Sequence, residues 1–259
     1  MTIEYTSRKM IQISTPRHAA ILLLVVLLSA CTRTVTIEVP SRTLPPESVA
    51  TASDKTGWWK IDFGLKWESE EETDWHLDAL LADQVCSPAL AEYRSRVYLW
   101  RFHRRAARDS AGHRFRLNIY TDPDTAEALY AQIRETAVLL WLESEGQVET
   151  LVMTEVDRPQ RPPIAQTSDA GWPPEIQASW PYFIMGVSQM WLKLIEEVGA
   201  EDPQPEYSDM TAVIDYYRTV NDRVNTLWRE EGQHAYLHHL NALFGYQPLV
   251  IRETNLKRF

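Results

Sequence analysis

Residues 58–67 read WWKIDFGLKW, in which Trp59, Ile61, Phe63, Leu65 and Trp67 alternate with Lys60, Asp62, Gly64 and Lys66. An apolar side chain at every second position suits a strand with one buried face; on a helix the same residues would scatter around the axis. The chain is thereby committed to a sheet. Two further alternating segments bracket an unusual basic stretch. Val97 to His103 alternates, and from His113 to Thr121 the residues Phe115, Leu117 and Ile119 share a face opposite Arg114, Arg116 and Asn118. Between them, RRAARDSAG supplies turn chemistry at Asp109, Ser110 and Gly112. These segments predict two antiparallel strands joined by a basic loop, with Arg114 and Arg116 pointing away from the core and Arg101 joining them if the register allows.

Helical periodicity fills the intervals. Thr73 or Asp74 can cap a helix through Leu77, Leu80 and Leu81, which Ser87-Pro88 should interrupt and restart. After Asp122-Pro123, the residues Ala126, Leu129, Tyr130, Ile133, Ala137, Leu140 and Trp141 predict one amphipathic helix ended by Gly146, and a strand is expected over about 148–156. The class is therefore α+β: a small, mostly antiparallel sheet with helices packed on one side, over residues 58–157. Its order of elements resembles ferredoxin-like units, a likeness that carries no activity. A proline-rich loop, 158–174, leads to a helical half, 175–259, expected to pack with the first as one domain. There Ser179 should cap a helix burying Trp180, Phe183, Ile184, Val187, Trp191 and Leu194, followed by helices over about 208–229 and 233–244, and LVIRET can supply a last strand.

The N-terminus bears on location. Arg8, Lys9, Arg17 and His18 precede AAILLLVVLL and then Leu28-Ser29-Ala30-Cys31. About ten apolar residues are too few for a spanning helix, which needs about 20, and the flanks fit a cleaved export signal over 1–30, starting at Met1 or Met10. The tetrapeptide resembles the lipobox of bacterial lipoproteins, which implies that Cys31 becomes the acylated first residue, carrying palmitate-type chains. By the same resemblance Thr32, in place of an aspartate, favours the outer membrane facing the periplasm in a diderm cell. Residues 31–57, with Pro40, Pro45, Pro46 and many serines and threonines, read as a flexible tether. Removing three basic and one acidic side chain with the signal takes the formal charge from −10 to −12. Such a chain, placed outside the cytosol, is not read as a nucleic-acid binder. Cys86 is left as the only mature thiol and reads as a small buried hydrophobe.

Against that acidity, Arg94 to Arg116 holds eight arginines, no lysine and one acid, Asp109. The choice of arginine favours planar pairing with carboxylate or phosphate. In one reading Arg104, Arg105, Arg108, Arg114 and Arg116 dock on an anionic envelope component or an acidic protein. In the other they are internal counterions, for which ESEEETDWHLD offers six acids. Most aromatic residues sit at core spacings; Trp58, opposite the apolar strand face, and Trp172, in WPPE, are the ones expected at the surface.

Motifs for chemistry are sparse. Glu231, His234 and His238 share a helical face and are the only metal-ligand candidates, but HExxH, CxxC and GxSxG are missing from the sequence and no motif implies a cofactor. Two functions follow: a non-enzymatic, lipid-anchored binding module of the envelope, which the sequence favours, or an envelope hydrolase acting on peptidoglycan or glycan, metal-assisted through that trio.

Overall fold

In the computed structural model, β1 (Gly57–Leu65) is the central strand expected from its alternation. It pairs antiparallel with β3 (His113–Thr121) on one side and β4 (Val148–Met153) on the other, and β2 (Leu99–Ala106) pairs antiparallel with β3, giving the order β2-β3-β1-β4. Between β1 and β2 runs a helical segment made of α1 (Trp75–Leu80), a π turn (Leu81–Cys86) and α2 (Ser87–Glu92); between β3 and β4 lie α3 (Pro123–Arg134) and α4 (Ala137–Ser144). Strand-helix-strand-strand-helix-strand with this strand order is the ferredoxin-like arrangement. A 3-10 turn (Ile164–Thr167) and the helices α5 (Pro174–Gly199), α6 (Met210–Leu227) and α7 (Gln233–Leu243), the last two joined through a π turn (Trp228–Gly232), form the helical C-terminal half.

The structure describes residues 55–67, 73–157 and 162–248, all within a compact unit spanning 46–259. The export signal, Cys31, most of the tether, Glu68 to Glu72 and the expected strand at LVIRET lie outside the described residues. Among those described, no helix is long and apolar enough to cross a membrane.

One face of the sheet makes the core. Trp59, Ile61 and Phe63 on β1 and Phe115, Leu117 and Ile119 on β3 are fully enclosed, facing Leu77, Leu80 and Leu81 of the first helical segment and Leu129 and Ile133 of α3. Each such side chain contributes about 1.5–3 kcal/mol of burial. Cys86 is buried there as a free thiol, and burial pushes its pKa well up. The helix passes through Ser87-Pro88 instead of stopping: the π turn takes up an extra residue, and Pro88 falls in the first turn of α2, where its missing N–H costs nothing.

Several expectations are corrected. The long amphipathic helix is two helices, broken after Arg134; the phase shifts, so that Val138, Leu139 and Leu142 are buried and Leu140 is half-exposed. The helix expected to begin at Ser179 begins at Pro174, leaving Pro181 inside it; its buried positions are Pro181, Ser188, Leu192, Ile195 and Val198, whereas Phe183 and Val187 are exposed. That phase follows from a sheet-edge contact, because Ser188 Oγ accepts a hydrogen bond from the Phe102 N–H of edge strand β2 at 3.0 Å. On α7, where the spacing of Tyr236 or Leu237, Leu240, Leu243 and Phe244 predicts a core face, no residue is buried, and Leu237, Leu243 and the following Phe244 are exposed. Trp58 is only 5% exposed; it packs with Leu99 and Tyr120, and its indole N–H donates to the Ile164 carbonyl at 3.0 Å.

Candidate functional site on the outer face of the sheet

Strand β2 runs three residues further than its alternation suggests, so Arg104, Arg105 and Ala106 belong to the strand and the turn is confined to 107–112. Parity then divides the basic stretch. Arg104 is in phase with Trp100 and Phe102 and points inward, where its Nε donates to Asp78 Oδ2 at 2.7 Å and its Nη2 to the Trp75 carbonyl at 2.8 Å. The guanidinium is sandwiched by the rings of Trp75 and Trp191, with its carbon 4.9 and 4.7 Å from their centroids. His113 Nε2 lies 2.9 Å from Asp78 Oδ1, and both side chains are fully enclosed. Arg104 is thus an internal counterion, and its acid comes from ESEEETDWHLD.

The opposite parity builds the outer face. Register places Arg101 beside Asn118 and Asn118 beside Lys60; His103 beside Arg116, Arg116 beside Asp62 and Asp62 beside Val152; Arg105 beside Arg114, Arg114 beside Gly64 and Gly64 beside Thr150. Side chains opposite one another on paired strands lie about 4.5–5.5 Å apart at Cβ, so these rows form one lattice rich in positive charge. Several members have local partners. Arg116 bonds Asp62 through Nε at 2.9 Å and Nη2 at 2.5 Å, and Asp62 is 5% exposed. Arg105 bonds Asp109 across the turn; that hydrogen bond, with help from the Ala111 N–H, holds the Asp109 carboxyl down at about 2. Arg114 donates to the Ala111 carbonyl at 2.7 Å and to Thr150 Oγ1 at 2.9 Å. Its guanidinium lies over Gly64, where a Cβ would come within 2.7 Å of Nη1 and 2.2 Å of Thr150 Oγ1. The sequence needs glycine at 64 so that Arg114 can cross β1.

Arg101 and Asn118 differ. The Arg101 Nε and the Asn118 Nδ2 are enclosed yet meet no acceptor among the described residues, and no ion pair joins Arg101 to an acid there. Burial lowers the Arg101 pKa, with Arg116 adding to the effect. The His103 pKa is lowered by partial desolvation of the ring, although the residue as a whole is exposed, and then by Arg101, Arg116 and Arg105, so at neutral pH it is an uncharged imidazole able to donate or accept. Asp62 Oδ1 is a buried acceptor without a donor on the same face. Such a surface holds donors ready for an oxyanion, with one acceptor beside them.

The remaining candidates are scattered. Arg108 stacks on Trp67 with its guanidinium carbon 4.1 Å from the ring centroid. Trp172 is half-buried before α5, its ring 5.0 Å from that of Trp180, and among the described residues no arginine stacks on it. Glu231 lies in the second π turn and His234 and His238 on α7, all exposed; the two imidazoles stack at 5.2 Å and His238 turns toward Tyr246. Among the described residues no group of three or more His, Cys, Asp or Glu side chains can hold a metal ion, so the trio does not make the centre its spacing suggested. A broad cleft of about 970 Å³ between α2 and the middle of α5, lined by Leu90, Arg94, Trp100, Met185, Gln189 and Lys193, contains none of these histidines. Sequence reasoning missed Asn118, His103, Lys60 and Asp62 as site residues, although all four sit at outward positions of segments read as strands. Comparison with protein families, curated proteins and solved structures found no match for this chain.

Proposed function

We propose that the chain is a lipid-anchored protein of the cell envelope whose α+β domain is a non-enzymatic binding module, taking an anionic envelope component on the outer face of its sheet. The observation that carries this reading is the concentration of Arg101, Arg105, Arg114 and Arg116 on one face of a chain whose formal charge is −10. A like-charged molecule meets an acidic protein productively only where the local potential reverses, and the outer face supplies that reversal. Location rests on the lipobox resemblance at Cys31, and Thr32 points to the outer membrane facing the periplasm.

Two measurements on the full chain test it. Radiolabelled palmitate should enter the mature protein, and Cys31→Ala should release the protein from the membrane fraction; no label and unaltered fractionation contradict the anchor. Detergent-solubilised protein should be retained on an immobilised phosphate polymer in a salt-sensitive way, because exposed charges are screened over about 8 Å at physiological ionic strength. Joint Arg105→Ala and Arg114→Ala substitution should lower the eluting salt concentration while unfolding stays cooperative. An unchanged elution contradicts the assignment of the face.

A further inference from the structure

From the geometry of the outer face we infer that Arg101, Asn118 and His103, with Asp62 alongside, form a defined site for an oxyanion that carries a neighbouring hydroxyl, of the glycerol phosphate type. This deepens the reading of the sheet face as a binding surface and does not depend on the lipid anchor.

Three observations converge. First, Arg101 and Asn118 face each other across β2 and β3, and each presents an enclosed nitrogen donor that meets no acceptor among the described residues. An unmade hydrogen bond of this kind costs about 1–3 kcal/mol, more for a charged group. Because the two residues are cross-strand partners, one acceptor group placed between them answers both donors. Second, the positive charges around them are not cancelled locally. Arg116 is taken by Asp62, and Lys60 Nζ reaches the same carboxylate at 3.6 Å, so that two cations share one acid while Arg101 has none among the described residues. A dianionic or monoanionic oxyanion would complete the balance. Third, Asp62 Oδ1 is a buried acceptor without a donor, two residues along β1 from Lys60 and one row from Arg101. A bare anion leaves that oxygen unmet and repelled; an anion carrying a hydroxyl on a short carbon chain supplies the missing donor. His103, exposed and uncharged at neutral pH, stands beside Arg116 and adds a donor at the rim.

The ligand chemistry is thus a phosphate ester with a hydroxyl two or three bonds away, which arises both in free glycerol phosphate and in the headgroup of phosphatidylglycerol. Binding requires only that long side chains at the surface rotate, an ordinary adjustment.

The test is thermal unfolding of the full chain carrying Cys31→Ala, titrated at constant ionic strength with glycerol 3-phosphate, methyl phosphate and inorganic phosphate. The expected result is a saturable rise in Tm, with glycerol 3-phosphate acting at a concentration several-fold below that of methyl phosphate. Arg101→Met should abolish the rise while leaving the ligand-free Tm equal to or above that of the parent. Arg101→Lys, which keeps the charge and a folded surface but loses Nε, should weaken the apparent affinity by at least about tenfold, the equivalent of one good hydrogen bond to a charged group. A rise shared equally by the parent and both variants, no rise at all, or equal potency of glycerol 3-phosphate and methyl phosphate overturns the proposal. The source is read in a second arm, with vesicles of phosphatidylglycerol or phosphatidylcholine. Sedimentation with the former alone, competed by free glycerol 3-phosphate, assigns the lipid headgroup; binding of the free ester without vesicle binding assigns a soluble ligand. Failure of palmitate labelling would remove the anchor and leave this site standing, whereas failure here would leave the anchor standing.

Discussion

Arg104 and Arg101 stand three residues apart on β2, and the odd separation sends them to opposite faces of the sheet. Arg104 meets a buried carboxylate, a carbonyl and two indole rings. Arg101 meets no acid among the described residues. The same residue type on the same strand therefore has two employments, set by parity and not by composition. Inside, the guanidinium ties α1 to the sheet through Asp78. Outside, no acid among the described residues takes it up.

The difference can be broken first on the inner side. Asp78→Ala removes the acceptor of Arg104 and the neighbour of His113 in an enclosed place, and stripping one partner from a buried pair costs about 3–5 kcal/mol. Urea unfolding should show that loss, and a change below about 1 kcal/mol would mean that the network contributes little. Next in size is Gly64→Ala on the outer face, whose new methyl displaces Thr150 Oγ1 and the Arg114 guanidinium; about 1–2 kcal/mol is expected, largely recovered by adding Thr150→Ala. If the double variant recovers nothing, Gly64 matters for some other reason than the crossing of Arg114.

A pH series sharpens the comparison further. His76 is lowered from its usual value of 6.5 chiefly by burial, against the opposing pull of Asp74, and His103 is lowered in the same direction. Where the folded pKa is depressed for a base, the unfolded chain binds more protons as pH falls, so the stability from the neutral form is present above 6.5 and is lost as pH drops through that value toward the folded pKa. The Tm should decline between pH 7.5 and 5.5, roughly the interval about a histidine's ordinary pKa, and His76→Gln should flatten the slope; an equal slope in the variant removes His76 from the account. The smallest effect is expected on α7. His234→Ala and His238→Ala should each change stability by under about 0.5 kcal/mol, and added zinc should not raise the Tm of the parent, because those rings are exposed and do not converge on a metal-holding group.

Much of the architecture was legible because period two is hard to mistake. Trp59, Ile61, Phe63 and Phe115, Leu117, Ile119 declare the inner face, and the outward positions of Arg114 and Arg116 follow directly. Arg104 reads as loop because it opens RRAARDSAG, whose turn residues mark the connection; its agreement in phase with Trp100 and Phe102 is the signal that places it on the strand. Trp58 was expected at the surface because one strand cannot reveal that Ile164 and Met185, more than a hundred residues later, cover the end of the outer face. The helix at 123–144 reads as continuous because apolar residues at three- and four-residue spacing continue across the break, although the buried phase changes there. On α5 the buried phase was set by Ser188 meeting the N–H of Phe102, a polar contact at a sheet edge that apolar periodicity does not record. Asn118 and Asp62 were invisible as site residues for a related reason: their meaning lies in cross-strand register, which no single segment contains.

The claim that one strand carries a spent arginine and an available one is tested most directly by the side-chain Nε–H resonances of the full chain carrying Cys31→Ala, assigned with Arg101→Lys and Arg104→Lys. On titration with glycerol 3-phosphate the Arg101 resonance should shift and saturate while that of Arg104 stays in place. A stationary Arg101 signal, or parallel movement of both, would contradict the account.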